Sequence, residues 1–308
     1  MMTKHAGDLK IVAGGTDLLP SMKQKLFTPS YLLDLGGVGE LRGIRSFPGS
    51  GIEIGALTTL STIEHSPMIR TSYPVLYEAA RTVASPVLRN MGTIGGNLCL
   101  DTRCLWYNQS LLWRKSCGFC LKKDGDLCHV APGGNFCWAT FSGDTAPALL
   151  CLGAKLEIAG PDGVRHTPLS EFYVNDGIVR LHLAPHEIVT RISLPEGAAG
   201  WRGSYQKLRV RGSIDYPLAG VAVALKMKAG EVEDARVAIT AVNPAPYLVK
   251  GASEALAGKM IDEQVAETVG NLAAKTAKPL TTSALTPEYR REMIRVFTKR
   301  AVLAAFAN

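Results

Sequence analysis

The residues most able to do chemistry are cysteines. Six of the seven, Cys99, Cys104, Cys117, Cys120, Cys128 and Cys137, fall within one segment, and Cys151 follows soon after. An odd number crowded into one stretch, behind no recognisable export signal, argues against a disulfide framework and for metal or cluster ligation. Four thiolates can hold either a 4Fe-4S cluster or a structural zinc ion, and spacing alone does not separate the two. Cys117-Gly118-Phe119-Cys120 reads unaided as a zinc-type pair, His129 is a further possible ligand, and Cys99 and Cys151, with apolar neighbours, read as inert buried thiols.

Two glycine turns supply a second kind of chemistry. Val12-Ala13-Gly14-Gly15-Thr16-Asp17-Leu18 and Thr93-Ile94-Gly95-Gly96-Asn97 each pair glycines with a small polar residue. Without a Cβ, backbone N–H groups can approach an anion closely, and two such nests suit a diphosphate. The Rossmann fingerprint is absent, because Arg42 stands where the third glycine after Gly37-Val38-Gly39 belongs, and no P-loop occurs. The histidines His5, His65, His166, His182 and His186 are scattered without metal spacing.

The elements around these residues alternate between helix and strand. Lys10-Val12 and Tyr31-Leu35 read as strands flanking a helix from Leu18 to Lys25. Gly51-Gly55 alternates as a strand, Ser61-Glu64 reads as a capping box, and a helix is expected over Pro74-Ala84. The cysteine segment is loop-like, with Trp106, Tyr107 and Trp113 expected as its packing. Strand character is expected from Ala148 to Ala159 and from Glu187 to Leu194. After a linker near Glu196-Gly203, Val221, Val223, Leu225 and Met227 alternate onto one face of a long strand. Helices over Ala252-Lys275 and Pro287-Phe306 complete the pattern.

Composition fits this picture. The chain has 308 residues and is 46% hydrophobic, enough for a substantial core. Its net charge of +7 is spread along the chain, with no run of five basic residues, so a nucleic-acid partner is not expected. No apolar run approaches the roughly 20 residues that span a bilayer, so no membrane partner is expected and the cytoplasm is the expected compartment.

Ala13-Gly14-Gly15-Thr16-Asp17-Leu18-Leu19-Pro20, Thr93-Ile94-Gly95-Gly96-Asn97, Ser142-Gly143-Asp144 and Tyr205-Gln206-Lys207 resemble, in that order, the FAD subunits of the xanthine dehydrogenase and carbon monoxide dehydrogenase family. The likeness runs from about Lys10 to Phe306. Most of that family lacks the cysteine insertion; the spacing Cys104, Cys120, Cys128, Cys137 resembles the β subunits of 4-hydroxybenzoyl-CoA reductases.

The resemblance implies an α+β fold: a two-subdomain FAD-binding region of PCMH type, followed by a CO dehydrogenase flavoprotein C-terminal α+β domain. The expected units are 1–50, 51–196 with a cysteine-rich cluster insertion at about 100–140, and 202–308. It implies FAD held by Val12, Ala13, Gly14, Gly15, Thr16, Asp17 and Leu18, and by Thr93, Ile94, Gly95, Gly96 and Asn97. Asp144 would lie on the adenosine or ribityl side, Lys207 near the flavin ring, and Val83 and Val189 along the cofactor. It implies a 4Fe-4S cluster on Cys104, Cys120, Cys128 and Cys137, a set that replaces Cys117 with Cys104.

The implied partners are a molybdenum-cofactor large subunit, a 2Fe-2S small subunit and ferredoxin as electron donor, with no catalytic residue in this chain. The function implied is electron transfer for reductive dehydroxylation of 4-hydroxybenzoyl-CoA to benzoyl-CoA. Alternatives are the FAD subunit of another molybdenum hydroxylase, acting on an aldehyde or N-heterocycle, or a zinc-stabilised binding module. Arg114, Lys115, Lys122 and Lys123, which flank the cysteines, are expected to favour reduced cluster states and to steer an acidic donor. The family pattern includes a strand and helix ahead of the first glycine turn, so either the start is misassigned or the first unit is trimmed.

Overall fold

A computed structural model describes residues 1–307. Strands β1 (Leu9–Val12) and β2 (Tyr31–Asp34) pair in parallel, and the crossover between them carries the helix Leu18–Lys23 and the first glycine turn. A second sheet is built from β3 (Ile44–Phe47), β4 (Gly51–Gly55), β5 (Lys155–Gly160), β6 (Gly163–Pro168) and β7 (Ile188–Leu194), all antiparallel, in the order β3-β4-β7-β5-β6. A third contains β8 (Arg202–Leu208), β9 (Ala219–Lys228), β10 (Glu231–Thr240) and β11 (Tyr247–Leu248) in the order β11-β10-β9-β8. The result is the expected α+β class.

The long strand β9 serves two cores at once. Side chains alternate across a strand with a period of two. Val221, Val223 and Leu225 accordingly join the core beneath the helices Glu263–Thr276 and Pro287–Ala307, while Ala222 and Ala224 join the core of the second sheet. The alanine face is small because the helix Thr145–Cys151, buried along its whole length, lies close against it; the Cys151 thiol donates to the Ala222 carbonyl at 3.5 Å.

Three sequence expectations are corrected. Ala148–Cys151 belongs to that helix rather than to a strand, and β5 begins only at Lys155. A short apolar run buried on every side carries no period to distinguish helix from strand. The helix Leu60–Glu64 is capped by Thr59, whose hydroxyl accepts from the Thr62 N–H at 3.1 Å, so Ser61 does not open a capping box; Glu64 instead pairs with Arg89. The stretch from Ala252 divides into Ala252–Leu256 and Glu263–Thr276, broken where Gly258 takes a positive φ and Asp262 caps the second helix through the Val265 N–H at 2.8 Å.

The cysteine segment forms an insertion closed at its base by Arg103 and Thr140, which exchange backbone hydrogen bonds of 2.8 Å in both directions. It is largely loop, with one short helix, Leu111–Ser116, capped by Ser110. Cys104, Tyr107, Cys120 and Cys137 form a small separate core with Leu26, against which Trp106 and Phe27 pack.

Candidate cofactor site

The two glycine turns meet. A Cβ on Gly14 would lie 1.9 Å from the Met91 carbonyl oxygen, so the first turn rests directly on the backbone leading into the second. Gly15 adopts a φ of +70°, which favours glycine, and Thr93 caps the helix Ile94–Leu98 by accepting from the Gly96 N–H at 3.1 Å. Neither turn could approach the other this closely with larger residues.

Together they border a cavity of about 810 Å³. Its lining includes Ala13, Gly14, Gly15, Thr16, Asp17 and Leu18 from the first turn, and Thr93, Gly95, Gly96 and Asn97 from the second. Val83, Asp144 and Val189 line it as well. Three residues expected at the cofactor do not line it. Val12 lies in β1, Ile94 is fully buried in the core, and Lys207 stands behind the wall.

There the Lys207 ammonium donates to Asp144 and to the Thr82 carbonyl, each at 3.0 Å, while the Tyr205 hydroxyl donates to Asp144 at 2.8 Å. Burial first, and the Asp144 carboxylate second, push the Tyr205 phenol far above its ordinary pKa. Lys207 therefore fixes the Asp144 carboxylate from behind. It does not reach into the cavity.

The cavity combines one wall of glycine backbone and small polar groups with another that is apolar, Leu57, Val83, Leu183 and Val189. A molecule joining a diphosphate to a flat aromatic ring matches both, and the volume suits a ligand of that size. Sequence reasoning missed Arg180, Leu183 and Tyr216, which also line it. They come from loops remote from either turn and carry no local motif.

The Tyr216 ring faces a residue of the insertion. The guanidinium carbon of Arg103 lies 3.5 Å from the ring centroid, and Arg103 also donates to Asp17. The Tyr216 hydroxyl donates to Asp17 at 2.9 Å, and burial raises its pKa well above the ordinary value.

The thiols separate into two groups. Cys104, Cys120, Cys128 and Cys137 surround one small cavity, all four buried, together with Tyr107, Lys122 and His129. Cys117, half-buried at the end of the helix Leu111–Ser116, does not line it; Cys99 borders the large cavity and Cys151 packs under β9. Among the described residues, no three His, Cys, Asp or Glu side chains converge closely enough to hold a single metal ion. Zinc needs sulfurs about 2.3 Å from one centre, whereas an iron–sulfur cluster needs a wider cage. Four thiols and no carboxylate form a donor set that suits either a structural zinc ion or an iron–sulfur cluster.

Burial pushes the Cys104 thiol up to about 12 and the Cys137 thiol up to about 11. Metal binding must displace those protons. His129 is held away from a ligand role, its Nε2 2.6 Å from the Phe119 carbonyl oxygen and its ring stacked on Trp106.

Of the four basic residues expected from sequence to steer a donor, Arg114 and Lys122 are buried and cannot form part of a surface. Arg114 is buried, donating to the Gln109 and Lys25 carbonyls with Asp124 at 3.6 Å, and the Lys122 side chain is only 5% exposed. Lys123 pairs with Asp124 at 3.0 Å, and Lys115 alone of the four is exposed without an ion pair among the described residues. Guanidinium and ammonium groups inside a fold hold backbone oxygens and carboxylates. Arg114 and Lys122 are too enclosed to meet a partner.

This is the architecture of a flavin-binding electron-transfer subunit, a dinucleotide-sized cavity between glycine turns with a further α+β domain behind it. The chain matches the model of the FAD binding domain in molybdopterin dehydrogenase over residues 1–197 and that of the CO dehydrogenase flavoprotein C-terminal domain over residues 203–305. It belongs to that family, as the FAD-binding medium subunit of a molybdenum hydroxylase, an oxidoreductase.

It is 31% identical to the carbon monoxide dehydrogenase medium chain of Afipia carboxidovorans, across 100% of this chain and 92% of that one. It is 32% identical to the aldehyde oxidoreductase FAD-binding subunit of Escherichia coli, across 80% of this chain and 79% of that one. The solved CO dehydrogenase from Oligotropha carboxidovorans superposes with a TM-score of 0.81 at 29% identity, covering 99% of this chain and 92% of the other. No helix among the described residues is long and apolar enough to cross a membrane.

Proposed function

We propose that this chain is the FAD and 4Fe-4S electron-transfer subunit of a molybdenum-containing reductase of the 4-hydroxybenzoyl-CoA type. Its partners would be a large subunit with the molybdenum cofactor and a small subunit with 2Fe-2S clusters, and ferredoxin the electron donor. The observation that carries the reading is the ring of four buried thiols, linked to the large cavity through the hydrogen bond between Tyr107 and Asp101. Tyr107 lines the thiol cavity and donates to Asp101 at 2.8 Å, and Asp101 lines the large one.

Bound FAD supplies a centre that can exchange two electrons with one partner and single electrons with another. Within the chain, the two glycine turns would bind the diphosphate, and Asp144, held by Lys207 and Tyr205, would present a fixed acceptor to the cofactor's hydroxyls. The apolar wall at Leu57, Val83 and Val189 would exclude water from the ring. Cys104, Cys120, Cys128 and Cys137 would hold the cluster. The chain needs partner subunits for substrate chemistry.

Anaerobic co-purification of the native complex, with analysis of iron, acid-labile sulfide, flavin and molybdenum, tests this. About four iron and four sulfide per medium subunit, beyond those of the small subunit, are expected. Cys104→Ser should abolish this excess and Cys117→Ser should leave it intact. A complex with flavin but no excess iron and sulfide would refute the cluster.

A second reading keeps both cofactors but sends electrons outward from an oxidised substrate. The relatives named for carbon monoxide dehydrogenase and aldehyde oxidoreductase favour it. Stopped-flow mixing with reduced ferredoxin or with candidate aldehydes and N-heterocycles decides which one bleaches the flavin.

A further inference from the structure

Beside the thiol cavity lies a buried cation that the flavin reading leaves without a role. Lys122 follows Cys120 by two residues, lines the thiol cavity, and is 5% exposed. Its ammonium donates to Asp101 at 2.8 Å, to the Thr102 hydroxyl at 2.7 Å and to the Gly177 carbonyl, and lies 4.7 Å from the centroid of the Tyr107 ring. Three acceptors and an aromatic face fix it in one position.

The anchoring is mutual. The Thr102 hydroxyl donates to the same Gly177 carbonyl at 2.7 Å, and the Gly177 N–H donates to the Cys137 carbonyl at 2.8 Å. A Cβ at Gly177 would come within 2.6 Å of the Cys137 sulfur, so the backbone that Lys122 holds lies against one of the thiols. Burying an ammonium costs several kcal/mol unless it is paired and fully hydrogen-bonded. A lysine used only for packing could be replaced by an apolar residue at less cost.

The other ionisable groups nearby are engaged elsewhere. His129 sits against the Phe119 carbonyl, and Arg114 is directed to backbone oxygens and Asp124. Arg180 lies 3.6 Å from the same Asp101 oxygen that Lys122 binds, and does not line the thiol cavity. Lys122 is therefore the one lysine or arginine that lines the thiol cavity among the described residues.

We propose that the Lys122 ammonium sets the reduction potential of the iron–sulfur group held by Cys104, Cys120, Cys128 and Cys137, with Asp101 as the opposing charge that tempers it. The inference rests on the cluster reading given above. A fixed positive charge close to four thiolates stabilises the state carrying the extra electron, and net charge is one of the determinants of cluster potential. Lys122 is a positioning residue in this scheme, acting through the field it creates.

Redox titration of the anaerobic holoenzyme, followed by low-temperature EPR of the reduced cluster, tests it. At the native midpoint, Lys122→Met should lower the reduced-to-oxidised ratio by about tenfold. Asp101→Asn should raise the ratio, because it leaves the ammonium without its counter-charge. Opposite shifts are the signature of charge, whereas loosened packing would move both variants the same way.

Lys115→Met, at an exposed site on the same insertion, should leave the midpoint unchanged. If Lys122→Met fails to incorporate iron, the Asp101→Asn shift alone decides. Native iron and sulfide with an unshifted midpoint, or shifts of the same sign, would overturn this inference and leave the cluster reading standing. Absence of iron and sulfide from the native complex would remove both.

Discussion

The Arg103 guanidinium lies over the ring of Tyr216, joining the cysteine insertion to the loop that borders the large cavity from the third sheet. Both side chains also bind Asp17 of the first glycine turn, so three separate segments are fastened at one point. A cation over an aromatic face is worth roughly 1 to 2 kcal/mol when desolvated. Arg103→Leu should therefore speed FAD release by about tenfold, read from the recovery of flavin fluorescence on dilution. Arg103→Lys should restore little, because an ammonium cannot stack and fork at once. Unchanged release from Arg103→Leu would show that the contact does not hold the cavity closed.

Gly14→Ala places a methyl group against the Met91 carbonyl, where backbone rather than a flexible side chain must move. Overpacking of this kind costs about 1–3 kcal/mol. The two turns should separate, so flavin content should fall well below one per chain while the far-UV circular dichroism stays native. Full flavin occupancy in this variant would mean that the turns need not touch.

The Lys207–Asp144 pair is almost fully enclosed, each side chain 3% exposed. Removing one partner strands the other charge, a loss of about 3–5 kcal/mol. Lys207→Met should lower the denaturation midpoint accordingly, and adding Asp144→Asn should recover part of the loss. A double variant less stable than Lys207→Met would contradict the pairing.

Thiol protonation gives a pH dependence with a definite sign. In the apo chain Cys104 and Cys137 have folded pKa values of about 12 and 11, raised from 9.0 by burial. Their contribution to stability is complete below pH 9 and is lost as pH rises through the folded values. The melting temperature of the apo chain should fall over that alkaline range, and Cys104→Ala combined with Cys137→Ala should flatten the slope. Iron incorporation under the proposed reading would release the same protons, so reconstitution yield should rise with pH over the neutral to mildly alkaline range.

Much of the fold was legible because its signals are local. The alternation through Val221, Val223 and Leu225 identified β9, and the paired glycines at Gly14-Gly15 and Gly95-Gly96 marked two turns that meet at one cavity. The thiol set was legible only through family likeness; unaided spacing favoured Cys117, because the pair with Cys120 is close in sequence while Cys104 arrives by the folding of the insertion. The burial of Lys122 and Arg114 was not legible. A basic residue in a loop carries no mark of burial until its acceptors, here Gly177 and Lys25, are brought from elsewhere in the chain.

Because consecutive residues of β9 belong to different hydrophobic interiors, the C-terminal third cannot be detached without stripping the wall from its neighbour. Cleavage between Pro195 and Arg202 should yield a nicked complex whose halves stay together, and expression of residues 202–308 alone should give aggregates through the abandoned alanine face.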